Sequence, residues 1–130
     1  KKNWKKSENM WTVLKFEKKS LGLLKDGLRK KLGNNFKIYI PKIRVQKFKK
    51  NKLINKEFDL LGDYLFCFHE NLNSKREINS LRFLRGLKYF LDGLLDSQSD
   101  IETFVQRCKE SECKEGFLSR DFFEIKVNKS

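Results

Sequence analysis

Reactive side chains are sparse in this chain, and none falls into a catalytic pattern. His69, the only histidine, sits in the run Tyr64–Glu70. A general base needs a nucleophile and an orienting partner within hydrogen-bond reach, and none is indicated, so His69 reads as a strand-end histidine. Asp92, Asp96 and Asp100 recur every four residues, whereas a calcium loop needs alternate ligands and a glycine at its sixth place. Cys67, Cys108 and Cys113 form an odd set without CxxC spacing, which indicates neither a disulfide frame nor a zinc site and fits a reducing compartment. Cys67 in a strand and Cys108 on an apolar helix face behave as small hydrophobes. No glycine-rich phosphate loop precedes a helix. The expectation is a binding module, not an enzyme, with no metal and no cofactor.

What remains is charge. Lys and Arg number 30 against 17 Asp and Glu, a net charge of +13, and the pI near 9.8 points to a polyanionic partner. The chain has no alanine while Lys, Asn, Ile and Phe abound, a bias that an AT-rich genome would produce and that would account for part of the excess. Two basic clusters stand out: Lys25, Arg29 and Lys30 on an expected helix, and Lys49, Lys50 and Lys52 at an expected hairpin tip. Each is a candidate nucleic-acid contact, and each would also serve as a solvated face.

The elements that must position these groups centre on 36–70. Two arms rich in β-branched and aromatic residues flank the segment 47–56, which is too charged for a core. Ile38 and Ile40 alternate with polar neighbours, then the phase slips at Pro41 to Ile43 and Val45, which suggests a bulge or bend rather than a break. The returning arm puts Tyr64, Phe66 and Phe68 on one face and Leu65, Cys67 and His69 on the other, as in a central strand covered on both sides. The segment therefore reads as a long hairpin with a basic tip.

Around it, Lys1–Asn9 is a basic lead-in without an apolar core, and so no secretory signal. Met10–Phe16 reads as a strand. A helix over about Leu21–Leu32 has Leu21, Leu24, Leu28 and Leu32 on one stripe, Ser20 as N-cap and Gly33 as stop. Ser74 and Glu77 form a capping box for a second helix with Ile78, Leu81 and Leu84 inward. Leu87–Leu91 is a short strand. Ser99 and Glu102 form a second box opening a third helix with Ile101, Phe104, Val105 and Cys108 on one side. Cys113–Gly116 reads as a linker, and Phe123, Ile125 and Val127 alternate in a last strand.

The order β-α-β-β-α-β-α predicts an α+β fold, a four-stranded, mainly antiparallel, ferredoxin-like sheet flanked by helices, with an extra C-terminal strand as an option. The division expected is 1–9 lead-in, 10–110 main domain, and 111–130 linker and terminal strand. No apolar run approaches the ~18 residues of a membrane span. A cytoplasmic monomer is expected.

Trp11-Thr12-Val13-Leu14, Leu28-Arg29-Lys30-Lys31-Leu32, Ile38-Tyr39-Ile40-Pro41 before a basic hairpin, Leu61-Gly62-Asp63-Tyr64-Leu65-Phe66, and Leu84-Arg85-Gly86-Leu87 occur in an order and spacing that resemble the NusG N-terminal domain. The resemblance spans about Trp11–Arg107. The family's usual Phe-Pro-Gly-Tyr is replaced here by Leu61-Gly62-Asp63-Tyr64. Family members usually continue into a small barrel, the KOW domain, whose first strand 121–127 could supply. The resemblance implies a transcription elongation or antitermination factor, near the nucleoid, that holds the clamp helices of the RNA polymerase largest subunit in an apolar depression, bridges the cleft and suppresses pausing. Residues matching the depression are Phe16, Leu61, Tyr64 and Leu81, with Arg82 and Arg85 in its polar rim; the same apolar residues would also suit a plain core. Upstream or non-template DNA is the implied second partner.

An RNA-recognition motif, also β-α-β-β-α-β, is the alternative. With Gly62 on the glycine of its third-strand signature, Asp63 and Leu65 fall where stacking rings belong, and Tyr64, Phe66 and Phe68 take the opposite phase.

Overall fold

The computed structural model describes residues 10–91 and 97–119. Within them the order is β1 (Met10–Phe16), α1 (Leu21–Leu32), β2 (Lys37–Tyr39), β3 (Lys42–Lys49), β4 (Lys52–Asp59), β5 (Tyr64–His69), α2 (Lys75–Ser80), β6 (Leu87–Phe90), α3 (Gln98–Ser111) and β7 (Leu118–Ser119). The fold is α+β. A four-stranded sheet of order β2-β5-β1-β6 pairs antiparallel throughout. A second sheet, β4-β3-β7, joins the antiparallel β3–β4 ribbon to a parallel β7. An extra strand is present as β7 at Leu118–Ser119; the strand expected over 121–127 and the lead-in 1–9 lie outside the described residues, as do Asp92 and Asp96.

Two-residue alternation places a core on each face of the main sheet. Met10, Leu14, Phe16, Leu65 and Cys67 pack with Leu24, Leu28 and Leu32 of α1, and with Leu72 and Leu81. Trp11, Val13 and Phe66 pack with Ile101 and Val105 of α3, flanked by Tyr39, Phe68 and Phe104. The strand β5 is central and covered on both sides, as its composition demands. Burial pushes the Cys67 thiol up to about 12. His69 is buried, its Nε2 3.0 Å from the Leu32 carbonyl, so it is a strand-end core group.

The expected long hairpin is divided at its root. Pro41 has no N–H for the ladder, and Ile40–Pro41 separates β2 from β3; the Pro41 carbonyl still accepts from Leu60 N–H at 2.8 Å. Beyond that point the arms leave the main sheet as a ribbon. The segment 47–56, expected as a tip outside the arms, is paired strand up to Lys49↔Lys52, and Lys50 and Asn51 alone turn it, with φ of 54° and 64°. Both residues lie in the left-handed region that a tight two-residue hairpin turn requires.

Three helix starts refine the expectations. Ser74 caps α2 by accepting from Arg76 N–H (3.2 Å) and Glu77 N–H (3.4 Å), but α2 ends at Ser80 and Leu81 is buried from the following turn. Ser99 is not the cap of α3: the helix begins at Gln98 with Ser97 before it. Ser20 does precede α1, but its hydroxyl bonds the Glu17 carboxylate rather than a helix N–H. Gly86, within the motif Leu84–Leu87, has φ of 90°, and a Cβ there would sit 2.7 Å from the Ser20 carbonyl. The glycine lets this turn touch the start of α1 while its carbonyl accepts from Glu17 N–H at 2.9 Å.

Candidate docking face and nucleic-acid interface

Strand register builds the first surface. Lys15 of β1 lies opposite Tyr64 on one side and Tyr89 on the other, so these three side chains share the α3 face of the sheet. The phenol oxygens of Tyr64 and Tyr89 are 3.0 Å apart. The Lys15 ammonium lies 5.8 Å from the Tyr64 ring centre and 5.9 Å from that of Tyr89, within cation–π range. The bond with Tyr89 is the main cause holding the Tyr64 phenol above its ordinary range, with the Asp63 carboxylate adding to it. Leu61, like Tyr64, is half-buried against the core of Trp11, Val13, Phe66, Ile101 and Val105 on this face. Next to it, Arg82 and Phe83 line a groove with Lys88 and Tyr89, and Phe83 is 90% exposed.

The single depression expected from Phe16, Leu61, Tyr64 and Leu81 is not formed. Phe16 and Leu81 are each 1% exposed, in the core on the α1/α2 side of the sheet. Leu61 and Tyr64 belong to the opposite face. Alternation explains the split: Phe16 follows Lys15 on β1 and therefore points through the sheet. Arg82 and Arg85 are exposed on the turn after α2. Lys15 and Tyr89 were missed in the sequence because their importance depends on register, which periodicity alone does not give.

The rest of the α3 face is closed. Gln98 at the start of α3 accepts from the Trp11 N–H and donates to the Trp11 carbonyl, both at 2.7 Å. At the far end Tyr39 donates to the Glu112 carboxylate, and the Lys109 ammonium lies 5.4 Å from the Tyr39 ring centre. Burial and that carboxylate drive the Tyr39 phenol well above its ordinary range.

The second surface is basic. Lys25, Arg29 and Lys30 are exposed on α1, where Arg29 pairs with Asp26 at 3.0 Å. Lys49, Lys50 and Lys52 are exposed at the ribbon tip, on a different element. At the ribbon root Asp59 receives Lys42 at 2.8 Å and Lys18 at 3.3 Å. Burial works against the Asp59 carboxylate, yet the hydrogen bonds from the two lysines outweigh it and hold its pKa below the usual range. Arg44 pairs with Glu115 at 3.3 Å and lies over the Phe117 ring at 5.0 Å, fastening the ribbon root to the segment before β7.

Among the described residues no group of His, Cys, Asp and Glu could hold a metal ion, and no helix is long and apolar enough to cross a membrane. No protein-family model matches the chain, and no curated protein matches it.

Proposed function

We propose that the chain is a NusG-like N-terminal domain, a transcription elongation or antitermination factor that docks on the clamp helices of the RNA polymerase largest subunit and suppresses pausing. One observation carries the reading. Of the residues matching the family's depression, Leu61 and Tyr64 come to the surface together on the sheet face beside α3, with Lys15 and Tyr89. Aromatic and aliphatic groups ringed by cations suit the core of a protein interface. Arg82 and Arg85 supply part of the rim, and the basic groups of α1 and of the ribbon face upstream or non-template DNA.

The RNA-recognition alternative needs open rings on the sheet. Trp11 and Phe66 are instead buried under Ile101 and Val105 of α3, which leaves them no room for a base. The test is direct binding of the purified chain to isolated clamp helices, alongside a pausing assay with polymerase. Submicromolar binding that is lost in Leu61→Glu supports the proposal; equal binding by a folded Leu61→Glu protein removes it.

A further inference from the structure

The ribbon β3–β4 has two chemically different faces that the linear order of its residues conceals. Directly paired residues share a face. One face carries Lys49 opposite Lys52, Lys47 opposite Ile54, and Lys56 opposite Val45. The other carries Phe48 opposite Leu53 and Gln46 opposite Asn55, and no charge along that stretch. The lysines are odd-numbered on β3 and even-numbered on β4 because the two-residue turn reverses the phase.

All four lysines are exposed, and none takes part in an ion pair among the described residues. No acidic residue occurs from Val45 to Lys56. Directly opposed like charges weaken a strand pair, and a two-stranded ribbon that no other described element pairs with beyond Arg44 is marginally stable by itself. An anion lying along the lysine face relieves both costs. The cations stand at three levels, each two residues or about 6.8 Å from the next. Such a repeating row of point charges, without a pocket or a bidentate fork, matches a polymer with a charge at every step better than the scattered carboxylates of a protein.

Two features favour a duplex over a single strand. A two-stranded ribbon is a shape that the major groove of DNA admits. A single-strand groove interleaves its cations with rings for the bases, whereas the aromatic on this face, Phe58, lies at the root beyond the lysines, opposite Ile43.

We infer that the ribbon lays the face bearing Lys47, Lys49, Lys52 and Lys56 into the major groove of duplex DNA, on the flanking phosphates, with Phe48 and Leu53 turned away. This deepens the nucleic-acid half of the reading above and does not depend on the polymerase contact.

The test is a salt titration of the purified chain on a labelled duplex and on a single strand of the same sequence, followed by fluorescence anisotropy. Four phosphate contacts give a slope of log affinity against log salt of about −3.6 on duplex. Lys47→Gln with Lys56→Gln flattens it by about 1.8. Gln46→Glu with Asn55→Glu makes the same change in net charge on the opposite face, at the pair between the levels of Lys47 and Lys56, and leaves the slope in place. Equal flattening by both pairs means a diffuse field and overturns the face assignment. Tighter binding to the single strand, or an unchanged slope in the lysine pair, overturns the duplex assignment. Binding of the same variants to the clamp helices keeps the two readings apart: its loss bears on the docking face, and its retention alongside an unchanged DNA slope removes the ribbon inference alone.

Discussion

Gln98 offers the sharpest test of how α3 is held on the main sheet. The strand β1 is longer than its neighbour β6, whose pairing begins only at Leu14↔Phe90, so among the described residues Trp11 has no strand on that side. The Gln98 amide takes its place, accepting from Trp11 N–H and donating to Trp11 C=O at 2.7 Å each. Gln98→Met keeps the side-chain volume and removes both bonds. Trp11 is buried, and each backbone group left without a partner costs about 1–3 kcal/mol. Since both bonds are only partly buried, the low end applies, and the variant loses about 2 kcal/mol. In a chain of this size that lowers Tm by roughly 6–10 °C, and the midpoint in urea falls with an unchanged slope. Gln98→Glu adds a pH signature. Its carboxylate accepts from the N–H but repels the carbonyl, whereas the protonated acid both accepts and donates. The folded-state pKa of that acid therefore rises above its unfolded value, and its stability is present below the unfolded value and lost as pH rises through the folded one. The deficit against wild type should narrow between pH 7 and pH 4. A Gln98→Met protein that melts within about 1 °C of wild type would show that water replaces the amide and refute the reasoning.

Three further outcomes follow from the same geometry. Leu61→Glu or Tyr64→Ala should weaken clamp-helix binding by about 2 kcal/mol, roughly 30-fold, with little change in Tm, whereas Leu81→Ala should lose about 2–5 kcal/mol of stability in a urea titration; a stable Leu81→Ala protein would contradict its place in the core. Asp59→Asn should cost about 1 kcal/mol at pH 7, its lysine partners being half exposed; because the folded pKa of Asp59 is depressed, that contribution is complete above the unfolded value and fades as pH falls through the folded one, so parallel melting curves of variant and wild type should converge at acid pH. Cys113 is exposed while Cys67 and Cys108 are buried, and the Cys67 thiol is pushed up to about 12; iodoacetamide at pH 8 should label Cys113 fast and the other two only on unfolding, and equal labelling rates would refute the burial.

Much of the main sheet was legible because its periodicities are strong. The leucine spacing of α1 and the alternation of β1 fix those elements to their observed ends, and the double apolar character of β5 marks it as central before any partner is known. Register was not legible. Lys15 looks like one more lysine until Tyr64 and Tyr89 are placed on either side of it, and Phe16 matches an interface motif while its parity sends it into the opposite core. The start of α3 moved for a related reason. Ser99 and Glu102 fit a capping box in isolation, but Gln98 has bonds to make with Trp11, and this tertiary demand draws the helix to begin at Gln98.

The ribbon shows why composition underestimates structure in a basic segment. Lys47–Lys56 has the charge of a solvated loop, yet eight consecutive cross-strand pairs run from Lys42↔Asp59 to Lys49↔Lys52. Its order is set at the root, where charges of both signs meet: Lys42 and Arg44 on β3 lie opposite Asp59 and Glu57 on β4. Asp59 gathers Lys42 and Lys18, Arg44 holds Glu115, and β7 adds a parallel pair at Ile43↔Leu118 with Leu118 buried. Each tie is modest, but all of them act on the same end of the ribbon, so the turn at Lys50–Asn51 need only reverse the chain. A ribbon fastened at the root keeps Phe48 79% exposed and Lys47, Lys49, Lys52 and Lys56 without an ion pair among the described residues. In free-energy terms the far half contributes almost nothing to the fold and forgoes apolar burial and charge pairing alike. Contacts omitted within the molecule are the ones left available to a partner, and on this ribbon they are divided by face, cationic on one and uncharged on the other.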